Sequence, residues 1–213
     1  MPLPSSPPDG RVEGPFRILV VCTGNVCRSP LVAAVLRARL ARAEAPIAIS
    51  SAGLRAVVGS RVDPPVAAEA ARLGVDVADH RARPFEPADA TASDLVVVAT
   101  ARQRAEAVEL APAIVPRTFT LLELDATLAH IDDDDVRIDR RRGARDRLVQ
   151  VVQAASRARG PAARGLSVDL LDPYRGSAET HRGVADIVGA AATRVADRLL
   201  DLADVPHGIE HVS

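Results

Sequence analysis

The hydrophobic pattern of the chain predicts short strands that alternate with helices. Runs of mostly β-branched residues are typical of strands buried on both faces, and longer segments without Gly or Pro are typical of helices. The predicted strands are Arg17–Val21, Ile47–Ser50, Asp94–Ala99 and Val115–Thr120. The predicted helices are Leu31–Leu40, Val66–Leu73, Ala101–Leu110, Leu121–Leu128, Leu148–Ala158 and Ala178–Leu202. This alternation favours an α/β fold, a doubly wound four-stranded parallel sheet with helices on both faces.

Residues that start and stop helices place the boundaries of these elements. The first helix is expected to start near Ser29, with Pro30 at its first position, where a missing N–H costs nothing. Asp63 is suited to cap the second helix, and Gly74 ends it. Residues 51–53 (Ser-Ala-Gly) are expected to turn out of the second strand.

The segments outside the alternation define the expected domain organisation. Residues 1–15 are rich in Pro, Ser and Gly and predict a disordered leader, and residues 206–213 form a tail. One domain is expected over residues 16–205, with a charged insertion at about 129–168 in which an acidic block precedes a basic one. The acidic run Asp132–Asp135 is interpreted as a solvated loop, because adjacent Asp residues without a turn Gly do not converge on one metal ion.

Composition narrows the possible functions. The 213 residues are 47% hydrophobic, enough for one good-sized core. The net charge is −1, with 27 basic and 28 acidic residues, which argues against general affinity for nucleic acid or an anionic membrane. No apolar run approaches the length of about 18 residues that spans a membrane, and the chain lacks a signal peptide pattern. A cytoplasmic protein is therefore expected, in which two cysteines are catalytic or redox-active.

The loop between the first strand and the first helix holds the candidate chemistry. Gly24 and Asn25 tolerate the positive φ angles of a tight turn, so successive backbone N–H groups can converge on one anion. Cys22 ends the strand beside the positive end of the helix dipole, a position that favours the thiolate form. Arg28 closes the loop with a planar group that can bind two phosphate oxygens. The loop therefore predicts a nucleophile beneath a phosphate site.

Two stretches resemble a known family. The sequence Cys-Thr-Gly-Asn-Val-Cys-Arg-Ser at residues 22–29 resembles the active-site loop of the low-molecular-weight protein tyrosine phosphatases, and Asp172-Pro173-Tyr174 resembles their general-acid loop. The resemblance covers roughly residues 16–125 and 168–203 and implies a flavodoxin-like fold. It implies that the catalytic residues are Cys22, Arg28 and Asp172. It assigns substrate binding to Thr23, Gly24, Asn25, Val26, Cys27, Ser29 and Tyr174.

The resemblance also implies a mechanism. A phosphomonoester would be hydrolysed in two steps, without a cofactor or a metal, through a phosphocysteine on Cys22. Ser29 would hydrogen-bond the sulfur, Asn25 would brace the loop and Asp172 would supply a proton to the leaving oxygen. Cys27 would either form a reversible disulfide with Cys22 or remain a packed thiol.

Several positions depart from the family pattern. Members commonly carry an aromatic residue at the mouth of the active site, where this chain has Val57 and Val58, and an acidic residue where Thr100 stands. Two valines can still form an apolar wall. His80 and Arg83 match a family segment after the second helix, and their expected role is structural, as a hydrogen-bonding pair on a connecting loop.

Several functions remain open at this point. Arsenate reductases of the same fold need cysteines downstream of Cys27, which this chain lacks, and protein-arginine phosphatases typically carry Thr where Val26 stands. A phosphate-binding regulatory module with weak catalysis is the alternative from a different class. A zinc site is disfavoured, because only two cysteines are present and the five histidines are scattered. The expected substrate is a phosphotyrosine protein or a small phosphomonoester, and the sequence leaves the oligomeric state open.

Overall fold

The computed structural model describes residues 14–132, 136, 138–160 and 167–207. The strands are β1 (Phe16–Cys22), β2 (Ile47–Gly53), β3 (Leu95–Val98) and β4 (Thr118–Thr120). The helices are α1 (Arg28–Leu40), α2 (Pro64–Arg72), α3 (Pro87–Thr91), α4 (Ala101–Leu110), α5 (Leu121–Ala129), α6 (Ala144–Ala158) and α7 (Ala178–Leu202), with a 3-10 helix at Pro112–Arg117.

The four strands form one parallel sheet in the order β2-β1-β3-β4. Cys22 at the end of β1 lies beside Gly53 at the end of β2, and Val21 lies beside Val98 of β3. The predicted α/β doubly wound sheet is therefore confirmed. In such sheets the strand order reverses beside the first strand, which opens a crevice at the carboxyl ends, where Cys22 stands.

Successive residues of β1 pack on opposite faces of the sheet. Ile18 and Val20 belong to the core that α1, α2, α5, α6 and α7 cover, whereas Leu19 and Val21 belong to the core beneath α3 and α4. Alternate side chains of a strand point to opposite faces, so a strand covered on both sides must be apolar throughout. This is the physical reason for the uninterrupted apolar run in the sequence.

Some predicted boundaries are wrong. Residues 51–53 continue β2 rather than turning away, because they pair with β1 up to Cys22. Pro30 is the third residue of α1, since the helix already begins at Arg28. Residues 112–117 form a 3-10 helix, so the predicted fourth strand is shortened to its last three residues. The short helix α3 was not predicted.

Helix α6 lies inside the region predicted as a charged insertion. Its apolar side is buried, with Leu148, Val151, Val152, Ala154 and Ala155 facing the core at helical spacing. The predicted leader falls largely on residues 1–13, the acidic run partly on 133–135, and the tail partly on 208–213, which all lie outside the described residues. Within the described ranges, no helix combines the length and apolar character needed to cross a membrane.

Candidate active site

Residues 23–27 connect β1 to α1 and form a tight loop at the carboxyl end of the sheet. Asn25 has a φ of 56°, in the left-handed region that Asn tolerates better than most residues. This conformation directs the Asn25 backbone N–H back to the Cys22 sulfur at 3.3 Å. The loop therefore closes over the cysteine, as the Gly-Asn pair predicts.

The buried side chain of Asn25 braces this loop. Its Nδ2 donates to Ser29 Oγ and to Ser51 Oγ, both at 2.9 Å, and its Oδ1 accepts from the Arg83 backbone N–H at 3.0 Å. His80 Nε2 donates to the Asn25 carbonyl oxygen at 2.7 Å. Burial lowers the pKa of His80, which keeps this ring neutral near physiological pH. His80 and Arg83 thus support the loop from outside it.

Cys22 is buried, and two donors converge on its sulfur. Ser29 Oγ lies 3.0 Å from Cys22 Sγ. Because Ser29 Oγ accepts a hydrogen from Asn25 Nδ2, its own hydrogen is left for the sulfur, which is nearer than the Ala52 carbonyl at 3.5 Å. Together with the Asn25 backbone N–H, this hydroxyl stabilises negative charge on the sulfur.

The second cysteine has a different environment. Burial, together with the negative charge of Asp63 as a smaller cause, raises the pKa of Cys27 to about 12. The Cys27 thiol is therefore protonated at neutral pH and loses its proton only as the pH approaches that value. Both cysteines are free thiols. Their pairing in a disulfide stays a prediction.

Arg28 and Asp172 meet at the mouth of the loop. Arg28 Nη2 lies 2.8 Å from Asp172 Oδ2, and Nη1 donates to the Leu170 carbonyl at 3.3 Å. The Arg28 side chain is 6% exposed and the Asp172 side chain 56%. Arg28 Nε is buried without a hydrogen-bond partner among the described residues. This orphaned donor is suited to bind an anion, since a buried N–H without a partner is costly.

These groups surround one cavity of about 210 Å³. The structure brings together all the predicted site residues except Asn25 and Ser29, which lie behind it. Val57 and Tyr174 form apolar walls, whereas Val58 is 70% exposed and is not among the lining residues. The lining residues are Cys22, Thr23, Gly24, Val26, Cys27, Arg28, Arg55, Val57, Asp172 and Tyr174.

A family model described as "Low molecular weight phosphotyrosine protein phosphatase" matches residues 17–158, about two thirds of the chain. The chain belongs to this family. It is 35% identical over 108 residues to the probable low molecular weight protein-tyrosine-phosphatase EpsP of Ralstonia nicotianae. The aligned region covers 51% of this chain and 72% of that protein. It is 35% identical over 102 residues to the phosphatase Etp of Escherichia coli strain K12, covering 48% and 66%.

Solved structures show the same fold. The tyrosine phosphatase AmsI of Erwinia amylovora superposes with a TM-score of 0.61 at 23% identity, over 86% of this chain and 93% of that one. The YwlE arginine phosphatase of Geobacillus stearothermophilus gives a TM-score of 0.64 at 24% identity, over 88% and 94%. The fold is thus shared by phosphatases that differ in substrate.

Gln103 is a residue of the phosphatase site that sequence reasoning missed. Its Nε2 donates to Thr23 Oγ1 at 3.0 Å, and its Oε1 accepts from the Ala99 backbone N–H at 3.1 Å. Thr100, which stands where the family has an acidic residue, caps α4 by accepting from the Gln103 backbone N–H. One signal in the sequence could have identified Gln103. It is a polar residue in the first turn of the helix that follows a central strand, and that turn faces the crevice.

Gly53 of β2 lies very close to residues 22–29, the candidate phosphate-binding loop. A Cβ there would meet the Thr23 carbonyl oxygen at 2.6 Å and Asn25 atoms at 3.0 Å. We expect Gly53→Ala to displace the loop and to lower kcat/KM for para-nitrophenyl phosphate by about 10²-fold, the cost typical of small misplacements in an active site.

The control is Gly183→Ala on α7, where a Cβ would meet nothing within 4 Å. It should leave kcat/KM unchanged and raise the free energy of unfolding by about 0.5–1 kcal/mol through helix propensity. Full activity in Gly53→Ala would contradict the assigned close contact.

Proposed function

We propose that the phosphatase hydrolyses phosphotyrosine in proteins through a phosphocysteine on Cys22, without a metal ion. The observation that carries this proposal is the convergence of Cys22, Arg28 and Asp172 on one small cavity, which residues of the loop between β1 and α1 also line. Arg28 and the loop N–H groups supply the positive charge that a metal supplies in other phosphatases.

In the first step the Cys22 thiolate attacks phosphorus and forms the S–P bond while the P–O bond to the leaving group breaks. The Arg28 guanidinium and the N–H groups of residues 23–28 stabilise the oxygens of the transferred group. Asp172 lines the mouth of the same cavity, where the leaving oxygen would lie, and gives its proton to that oxygen.

In the second step a water attacks the phosphocysteine and Asp172 accepts its proton. The S–P bond breaks and Cys22 leaves as a thiolate. The Ser29 hydroxyl, 3.0 Å from the sulfur, stabilises the departing charge. Inorganic phosphate is released and Asp172 regains the proton that the next cycle needs.

The walls of the cavity favour an aromatic phosphomonoester. Val57 and Tyr174 are apolar groups at the mouth, and Val26 in the loop supplies another apolar contact where arginine phosphatases of this fold typically carry Thr. Leu171, 67% exposed, extends the apolar surface outward beside Asp172, which suits a protein substrate better than a small metabolite.

We assign the reaction to one domain, residues 16–205, in the cytoplasm, where free thiols stay reduced.

The proposal is tested with phosphopeptides of one sequence that carry phosphotyrosine, phosphoarginine or phosphoserine, under reducing conditions and with a chelator present. We expect kcat/KM to be highest for the phosphotyrosine peptide. A preference for phosphoarginine would instead make the chain an arginine phosphatase. Phosphate binding without turnover of any peptide or of para-nitrophenyl phosphate would identify a binding module.

Replacement of Asp172 by Asn removes the proton donor and retains the shape of the side chain. We expect kcat/KM to fall by about 10²-fold for phenyl phosphate, whose leaving oxygen is strongly basic. The loss should be much smaller for para-nitrophenyl phosphate, whose leaving group departs without a proton. Equal losses for the two substrates would contradict the role of Asp172 as an acid.

A further inference from the structure

His181 is a buried histidine near the start of α7 that the proposed chemistry does not use. Its side chain is 4% exposed. Nδ1 lies 2.8 Å from the Ser177 carbonyl oxygen, and because a carbonyl only accepts, Nδ1 carries a proton. Nε2 has no hydrogen-bond partner among the described residues. The group that faces Nε2 is the Asp63 carboxylate, with Oδ2 at 3.6 Å.

Asp63 contacts the loop that follows Cys22. Its backbone N–H donates to the Val26 carbonyl at 2.9 Å, inside the phosphate-binding loop, and its charge raises the pKa of Cys27. Asp63 precedes α2, but its side chain makes no capping hydrogen bond to that helix. The carboxylate is instead directed at the His181 ring, with Asp63 Oδ2 3.6 Å from Nε2.

Ser177 lies at the end of the general-acid loop, where α7 begins. Its Oγ caps α7 by accepting from the Thr180 N–H at 3.1 Å. Its carbonyl accepts two bonds from His181, from the backbone N–H at 3.0 Å and from Nδ1. The ring of His181 therefore holds the residue at which the general-acid loop enters α7.

The general-acid loop between Asp172 and Ser177 forms a tight turn. The Gly176 N–H donates to the Pro173 carbonyl at 2.8 Å, and the Tyr174 N–H donates to Asp172 Oδ1 at 3.3 Å. A Cβ at Gly176 would lie 2.9 Å from the Pro173 carbonyl oxygen, so the turn is already tightly closed. We therefore expect a shift of Ser177 to be passed along the loop to Asp172.

We propose that His181 is a positioning residue that holds the general-acid loop in register with the phosphate-binding loop, through its contacts with Ser177 and Asp63. The inference rests on the proposed function, because it assigns to His181 the placement of Asp172 relative to Cys22. His181 touches neither the substrate cavity nor the reacting atoms. Its effect is confined to proton delivery to the leaving group.

The test is the ratio of kcat/KM for phenyl phosphate to kcat/KM for para-nitrophenyl phosphate, which reports how well Asp172 delivers its proton. We expect His181→Phe, which fills the volume without ring nitrogens, to lower this ratio by about 10-fold and to leave inorganic phosphate inhibition unchanged. His181→Gln, whose amide reaches toward Asp63, should restore most of the ratio. In an Asp172→Asn background, His181→Phe should cause no further drop.

His207 provides a matched control beyond the other end of α7. Its Nδ1 lies 3.0 Å from the Val205 carbonyl and its Nε2 lies 3.6 Å from Asp201 Oδ1, the same arrangement as that of His181 but away from the cavity. His207→Phe should leave the ratio at the wild-type value. Asp63→Ala removes the carboxylate and so removes the contact from the other side, and it should lower the ratio even if His181→Phe does not fold.

Two results would overturn the inference. One is an unchanged ratio in folded His181→Phe and Asp63→Ala, and the other is an equal loss for both substrates, which a purely structural role would produce. Absence of turnover in the wild-type protein would refute the proposed function itself, so the two failures are distinguishable.

Discussion

Replacement of Cys22 by Ser is expected to lower turnover of para-nitrophenyl phosphate by about 10⁴-fold or more. The hydroxyl oxygen is a far weaker nucleophile than the sulfur, because the two donors that converge on Cys22 cannot hold a Ser side chain as an anion at neutral pH. The walls of the phosphate site are unchanged by the substitution. Inorganic phosphate should therefore bind with an affinity within a few-fold of the wild-type value, measured by calorimetry.

Cys27→Ser is the matched control, since it makes the same chemical change five residues along the same loop. The Cys27 thiol is protonated at neutral pH because its pKa is raised to about 12, so its loss removes no nucleophile. Activity should fall by less than about 10-fold, from changed packing alone. Loss of turnover in both variants, or in Cys27→Ser alone, would contradict the assignment of Cys22 as the nucleophile.

Replacement of Arg28 by Lys is expected to lower kcat/KM for para-nitrophenyl phosphate by about 10³-fold. Arg28 contacts Asp172 and the Leu170 carbonyl with its two terminal nitrogens and keeps Nε for an anion. A Lys ammonium has the same charge but only one nitrogen, so it cannot bind two phosphate oxygens and Asp172 together. Phosphate inhibition should weaken in the same variant, because the bidentate contact forms with bound phosphate as well.

Arg39→Lys is the matched control. It tests whether replacing a different arginine of α1 by Lys lowers kcat/KM as much as replacing Arg28 does. Arg39 contacts Thr193 Oγ1 at 3.2 Å and lies 4.0 Å from the Asp197 carboxylate, on the side of α1 that faces α7. Both contacts are partly exposed, so we expect unchanged kcat/KM and a change in unfolding free energy within about 0.5 kcal/mol. Retention of wild-type activity in Arg28→Lys would show that charge alone is sufficient at that position.

The phosphate-binding loop was predictable because its chemistry is local. Residues 22–29 are contiguous, and a strand end, a left-handed Asn25 and a helix start bend them into one tight loop. The apolar runs likewise predicted the strands, since a strand covered on both faces must be apolar throughout. Helix α7 was predicted with its observed bounds, because Ser177 and its helical pattern are local signals.

Features that join distant parts of the chain could not be predicted in the same way. Gln103 reaches Thr23 across 80 positions, and His181 meets Asp63 only because α7 packs against α2. Residues 51–53 read as a turn when taken alone, but pairing with β1 extends them into β2. In each case the deciding contact depends on strand register or helix packing, which the local pattern does not contain.

The sequence by itself determined the candidate nucleophile, the candidate phosphate-binding arginine and the order of strands and helices along the chain, because these depend on neighbouring residues. Only the tertiary structure decided that Asp172 meets Arg28, 144 positions away in the chain, that Val57 rather than Val58 lines the mouth, and that α6 belongs to the core. The physical reason is that burial and ion pairing act between surfaces brought together by the whole fold.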